Sequence, residues 1–254
     1  MSVIIALANQ KGGVGKTTST IELAACFENR GYKTLVVDLE QQMDTTKYCG
    51  GDPFKSGCYK VLKEEMDIRD AIQQTEEFDL LPATPELSKA DDEFTKPTDV
   101  LKLKKALKAI EDDYDFVVID TNPGRNRLLN MAYIASDYVI IPTDADDGSV
   151  SGIISIFDDL KEYKEAGWTD SDVMGIILTR YENTSMHRYQ EEVIRELIEV
   201  KQPDAFFMNV RKAIAASECK TERTSLQRGK RSSKPAIDYR NIADEIIDRL
   251  TEED

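Results

Sequence analysis

The stretch ANQKGGVGKTTS, residues 8–19, comes directly off the apolar run VIIALA (3–8) and leads into a helix-like segment. A glycine-rich turn between a buried strand and a helix is the setting of a phosphate-binding loop. Gly12, Gly13 and Gly15 let the backbone approach an anion and turn N–H groups, that of Val14 among them, inward at a helix N-terminus. Lys16 then reaches the β- and γ-phosphates, the Thr17 hydroxyl suits Mg²⁺, and Thr18 adds contacts on the α-phosphate side. The loop departs from the usual pattern at its start. Gln10 stands where the first glycine is expected, and a second lysine, Lys11, sits beside it.

A loop of this kind fixes much of the fold. Short apolar runs rich in Val and Ile recur at 3–8, 35–37, 116–119, 138–141 and 175–178, and suit parallel strands buried on both faces. Helix-like segments lie between them, at 17–30, 99–112, 149–166 and 186–200. The alternation implies an α/β fold with a mainly parallel twisted sheet flanked by helices on both faces. Ligands of such sheets sit beyond the carboxyl ends of the strands. With no repeat, linker or low-complexity tract, residues 1–254 read as one domain. The final segment, 239–250, places Ile242, Ile246, Ile247 and Leu250 on one face. It reads as a helix packed back onto the domain, because a membrane-surface helix wants basic flanks and this one runs into the acidic TEED.

Two further strand ends carry carboxylates. Asp120 closes FVVID (116–120), where a carboxylate beside a phosphate loop holds Mg²⁺ through water. In LVVDLEQQMDTT (35–46), Asp38 and Glu40 stand one residue apart on a leaving strand, able to address the metal shell and the attacking water together. The four cysteines (Cys26, Cys49, Cys58, Cys219) show no CxxC spacing and read as small hydrophobes in a reducing compartment. His187 reads as exposed. The N-terminus lacks a basic region and a cleavage site, so it reads as structure. No apolar run approaches membrane-spanning length.

These residues together resemble the ParA/MinD group of deviant Walker-A ATPases and, within it, the ParA-type partition proteins. QKGGVGKTT (10–18) resembles the group's loop, Lys11 included, and DLEQQ (38–42) and VVIDTNPG (117–124) its switch I and Walker-B stretches. The narrower likeness runs through 57–75, FDLLPATPEL (78–87), NVRKAIAAS (209–217) and DYRNIADEII (238–247), covering nearly the whole chain. The resemblance implies a deviant Walker-A P-loop NTPase with ATP and Mg²⁺ as cofactors. It implies an ATP-sandwich homodimer in which Lys11 crosses to the partner's nucleotide phosphates, a cation supplied only once the dimer forms. The implied catalytic residues are Lys11, Lys16, Asp38, Glu40 and Asp120. The metal side is implied to be Thr17, Asp38 and Asp120, and the base to be flanked by Thr179, Arg180 and Asn209.

Two positions depart from the family pattern. Where the family has DxDPQ, this chain has Asp38-Leu39-Glu40-Gln41-Gln42, so Glu takes the place of an Asp needed for hydrolysis and Gln that of a Pro. Asn122 stands where a Pro or small residue is common. An extra methylene at Glu40 matters, because about 1 Å of misplacement costs on the order of 100-fold in rate.

The net charge of −15 argues against indiscriminate coating of nucleic acid, yet residues 220–234 hold six cations against Glu222 alone. Such a cluster reads either as a solvated basic loop or as a DNA contact. The resemblance implies binding to non-specific DNA through Arg211, a surface that Lys220, Arg223, Arg228, Lys230 and Arg231 extend. It also implies a ParB-type DNA-binding adaptor that stimulates hydrolysis, a cytoplasmic, nucleoid-associated location, and no membrane partner. Two alternatives stay open at this point: a slow-hydrolysing, ATP-gated regulator of transcription or conjugation, and a MinD-like membrane-cycling regulator, against which the acidic C-terminus counts.

Overall fold

The computed structural model describes residues 1–146 and 148–252. The first half runs β1 (Val3–Leu7), α1 (Lys16–Glu28), β2 (Thr34–Asp38), α2 (Asp44–Tyr48), α3 (Cys58–Leu62), α4 (Ile68–Ala71), β3 (Gln73–Gln74), β4 (Asp79–Leu81), α5 (Ala90–Glu93) and α6 (Lys102–Lys108). The second half runs β5 (Phe116–Asp120), α7 (Arg127–Ala135), β6 (Tyr138–Thr143), α8 (Ser149–Glu165), β7 (Asp172–Tyr181), α9 (Ser185–Lys201), β8 (Phe206–Arg211), α10 (Ile214–Glu222), α11 (Leu226–Gly229) and α12 (Lys234–Glu252).

The strands form one sheet in the order β3-β4-β2-β5-β1-β6-β7-β8, parallel throughout except for the β3–β4 edge pair. β1 lies between β5 and β6, so successive connections leave it in opposite directions and open a crevice at its carboxyl end. Side chains alternate across the sheet with period two. Ile5 and Leu7 pack with Ile21, Phe27, Ile242 and Ile246 under α1 and α12. Ala6 and Ala8 pack with Leu128, Tyr133, Ile153 and Ile194 under α7, α8 and α9. Two apolar layers therefore sandwich strands that are themselves buried, as the Val- and Ile-rich runs imply.

Every expected strand is present, and three more flank them. The β3–β4 hairpin and β8 are edge elements of two to six residues whose apolar runs are too short or too mixed to stand out. The expected helix at 99–112 contracts to α6. Pro97 starts a 3-10 segment before it, and i→i+3 bonds (Ile110 N–H to Leu107 O, Asp113 N–H to Ile110 O) tighten the chain after it. The stretch 220–234 is not a free loop, since it holds the end of α10, all of α11 and the start of α12. The last helix does pack back onto the domain, with Ile242 and Ile246 fully buried and the Tyr239 hydroxyl 2.9 Å from Ser19 Oγ on α1. Glu253 and Asp254 of the acidic TEED lie outside the described residues. Cys26, Cys58 and Cys219 are buried and all four cysteines are free. His187 is half-buried rather than exposed, its Nδ1 2.8 Å from the Thr184 hydroxyl that caps α9. Among the described residues no helix is long and apolar enough to cross a membrane.

Candidate active site

The loop between β1 and α1 occupies the crevice at the carboxyl edge. Gly13 (φ 75°) and Gly15 (φ 91°) take the left-handed conformation open to glycine at no steric cost. At Gly15 a side chain is doubly opposed, because a Cβ would stand 3.3 Å from Thr179 Cγ2. Thr179 Oγ1 lies 2.9 Å from both the Val14 and Thr143 carbonyls, so its hydroxyl pins the loop to the ends of β6 and β7. Asn9 holds the other end, accepting from Lys11 N–H at 2.9 Å and donating to Pro142 O at 2.8 Å. Lys16 is only 6% exposed and its ammonium donates to the Lys11 carbonyl at 3.0 Å. Burial lowers its pKa, opposed by the nearby charges of Asp120 and Glu40.

Asp38 and Asp120 are register partners at the ends of β2 and β5. Oδ2 of Asp120 accepts from Thr17 Oγ1 at 2.7 Å and from Thr45 Oγ1 at 2.5 Å. Asp38 Oδ2 accepts from the Thr46 N–H at 2.7 Å and its hydroxyl at 2.6 Å, while Oδ1 accepts from Glu40 N–H at 2.9 Å. Burial raises the pKa of both carboxyls, and the charge of Asp120 raises that of Asp38 further. Oδ1 of Asp120 is buried without a partner. A buried carboxylate oxygen with no donor is costly, and this one belongs to the carboxylate that the Thr17 hydroxyl already bonds. The donor set, a hydroxyl and two carboxylates beside an anion-binding loop, fits a hard divalent cation such as Mg²⁺. Glu40 lines the same cavity as Lys16, Thr17 and Thr18, half-buried, with burial raising its pKa. The Asn122 carboxamide oxygen is also buried without a partner.

Lys11 stands apart from this cavity. Its ammonium donates to Asp144 Oδ1 at 2.7 Å and to Asp146, both on the segment after β6. Arg180, in the left-handed conformation, pairs with the other oxygen of Asp144 at 2.6 Å. Of the residues expected to flank a base, Arg180 is thus engaged by Asp144 and Thr179 by the loop. Asn209 makes one long bond to Glu191, 3.4 Å, and leaves its carboxamide oxygen unpartnered.

Near the expected DNA surface, most cations have carboxylate partners. Arg211 grips Asp238 through Nε (2.9 and 3.1 Å) and Nη2 (2.6 Å), which ties β8 to α12. Lys220 stands 3.9 Å from Asp44, Lys230 3.1 Å from Glu218, and Arg228 pairs with Glu76. Arg223 and Arg231 have no carboxylate partner among the described residues. Pairs this exposed are worth about 0–1 kcal/mol, so a phosphate displaces them cheaply; the Arg211 pair, on a nearly buried Asp238, is the exception.

Sequence reasoning missed the residues that hold the charged groups: Thr45 and Thr46 under the acids, and Asp144 and Asp146 on Lys11. Two consecutive threonines just after switch I were the available signal for the first pair. The second pair is 133 and 135 residues from Lys11 and had none.

The AAA domain family profile matches residues 2–173. The sporulation initiation inhibitor protein Soj of Bacillus subtilis is 34% identical over 184 residues, 70% of this chain and 73% of the relative. The chromosome-partitioning ATPase Soj of Thermus thermophilus is 31% identical over 250 residues, 98% of this chain and 96% of the relative. Among solved structures, a plasmid partition protein from Borrelia burgdorferi superposes with a TM-score of 0.77 at 26% identity, covering 98% of this chain and 99% of that one.

Proposed function

The chain belongs to the ParA-type family of partition ATPases, and from that premise we propose that it is an ATP-gated DNA-segregation protein. It hydrolyses ATP, with Mg²⁺ as cofactor. ATP closes a homodimer that binds non-specific DNA, and a DNA-bound ParB-type adaptor stimulates hydrolysis and release. The observation that carries this reading is the division of labour between two lysines of one loop. Lys16 lies buried against the loop and lines its own cavity, whereas Lys11 does not line that cavity and is held outside it by Asp144 and Asp146. A lysine placed there is available to a second protomer's phosphates, as an arginine finger is.

Within the protomer the roles follow from position. Loop N–H groups and Lys16 hold the β- and γ-phosphates. Thr17, with Asp120 and Asp38 behind it, holds Mg²⁺, which when bound offsets phosphate charge. Glu40 orients the attacking water and takes up its proton at a carboxylate that burial makes more basic than a free one.

Glu40 also sustains the second reading, a slow-hydrolysing regulator whose ATP-bound state persists. Single-turnover hydrolysis with and without DNA, in the wild type and in Glu40→Asp, separates the two. The partition reading expects DNA- or adaptor-stimulated turnover in the wild type and a change of less than about threefold in the variant, the backbone having adjusted to Glu. A gain on the order of 100-fold in Glu40→Asp assigns the chain to the regulator instead.

A further inference from the structure

The segment after α10 is fastened to the rest of the molecule at three consecutive residues. Leu226 N–H donates to Glu22 on α1 at 2.7 Å, and Ser225 N–H donates to Glu77 beside β4 at 3.0 Å. The third tie is to α2, where the Tyr48 hydroxyl donates to the Thr224 carbonyl at 2.7 Å. Two of these anchors also touch the site acids: α1 through Thr17 on Asp120, and α2 through Thr45 on Asp120 and Thr46 on Asp38, so that α2 is the anchor bonded to both carboxyls. Asp44, at the start of α2, faces Lys220 of α10 at 3.9 Å. One five-residue helix thus bonds the site carboxylates at its middle and the basic segment at its ends.

Left-handed residues bracket α2. Met43 precedes it in the left-handed conformation (φ 59°) and Gly50 follows it at φ 77°. For Met43 that conformation costs about 1–2 kcal/mol, which the bound state of α2 must offset. A groove of about 560 Å³ beside α2 is lined by Tyr48 and Gly50 together with Glu77, Arg223 and Arg228, leaving the basic segment room to shift.

We propose that α2 is an intramolecular lever that transmits nucleotide occupancy of the loop to the basic segment 220–231 through the Tyr48–Thr224 bond and the Asp44–Lys220 pair. The inference rests on the nucleotide-binding reading above and is independent of DNA. Asp44, Tyr48 and Lys220 line the cavity with the loop glycines, so incoming phosphates repel Asp44 and attract Lys220, weakening the pair that bridges α2 and α10. That difference between empty and filled states is what a coupling requires. The basic surface is then repositioned within each protomer, before or alongside dimer closure.

Amide hydrogen exchange tests the lever. In the wild type, saturating ATP analogue is expected to protect residues 10–20 and to change exchange across 220–231 by at least about fivefold. Tyr48→Phe keeps the ring and deletes only the hydroxyl. In that variant, loop protection at saturating analogue is expected to persist while the response of 220–231 disappears, and Asp44→Asn is expected to diminish it. An unchanged response in Tyr48→Phe overturns the proposal, as does a wild-type segment that ignores nucleotide while the loop is protected. No loop protection in the wild type overturns the nucleotide reading beneath it.

Discussion

Replacing Lys16 with Ala is expected to lower ATP affinity by at least about 100-fold and to stop hydrolysis, with isothermal titration as the measure. Lys16 is the one cation lining the cavity that is itself buried, and it faces the two carboxyls of Asp120 and Glu40. Removing it takes away a desolvated positive charge from the phosphates and leaves those acids to repel them. Loss of one preorganised donor in such a site costs about 2.7–4 kcal/mol in transition-state stabilisation. The loop itself survives, because Asn9 and Thr179 fix it through other bonds. An affinity within threefold of wild type contradicts the assignment.

Lys11→Ala is expected to separate binding from turnover. Lys11 lies outside the cavity on Asp144 and Asp146, so a single protomer loses little: nucleotide affinity is expected to stay within about threefold of wild type. Hydrolysis is expected to fall about 1,000-fold or more, the range for a cation supplied in trans to phosphoryl transfer. Mixing Lys11→Ala with Lys16→Ala then restores activity, because a Lys16→Ala protomer still offers Lys11 to its partner's intact loop. Wild-type turnover in Lys11→Ala, or no recovery on mixing, contradicts the in-trans role.

The loop and the strand-end acids were readable because their chemistry is local. Three glycines, a lysine and two threonines make an anion site within one turn, and a carboxylate closing a Val- and Ile-rich run sits at the sheet edge by construction. The doubly wound sheet followed for the same reason. What the sequence did not disclose is long-range pairing. The basic run 220–234 was countered in its own sequence by Glu222 alone, yet Asp44 on α2, Glu76 in the β3–β4 turn and Glu218 on α10 pair with its cations. Arg211, which the resemblance puts on the DNA surface, is paired with Asp238, a partner 27 residues along the chain. Thr179 was expected beside a base, and the bonds from its hydroxyl to the Val14 and Thr143 carbonyls had no signal in the sequence. Short edge strands such as β3, two residues of Gln, carry no pattern at all and exist only because a neighbour pairs with them.

The central claim is that ATP switches on affinity for DNA. The most direct measurement is binding to a random-sequence duplex with ATP, with ADP and without nucleotide, across a salt series. The account predicts binding with ATP alone, lost in Lys16→Ala, and falling about 1,000-fold between roughly 50 and 200 mM salt as about six phosphate contacts are released. Absence of DNA binding in every nucleotide state, or equal binding in all three, contradicts it.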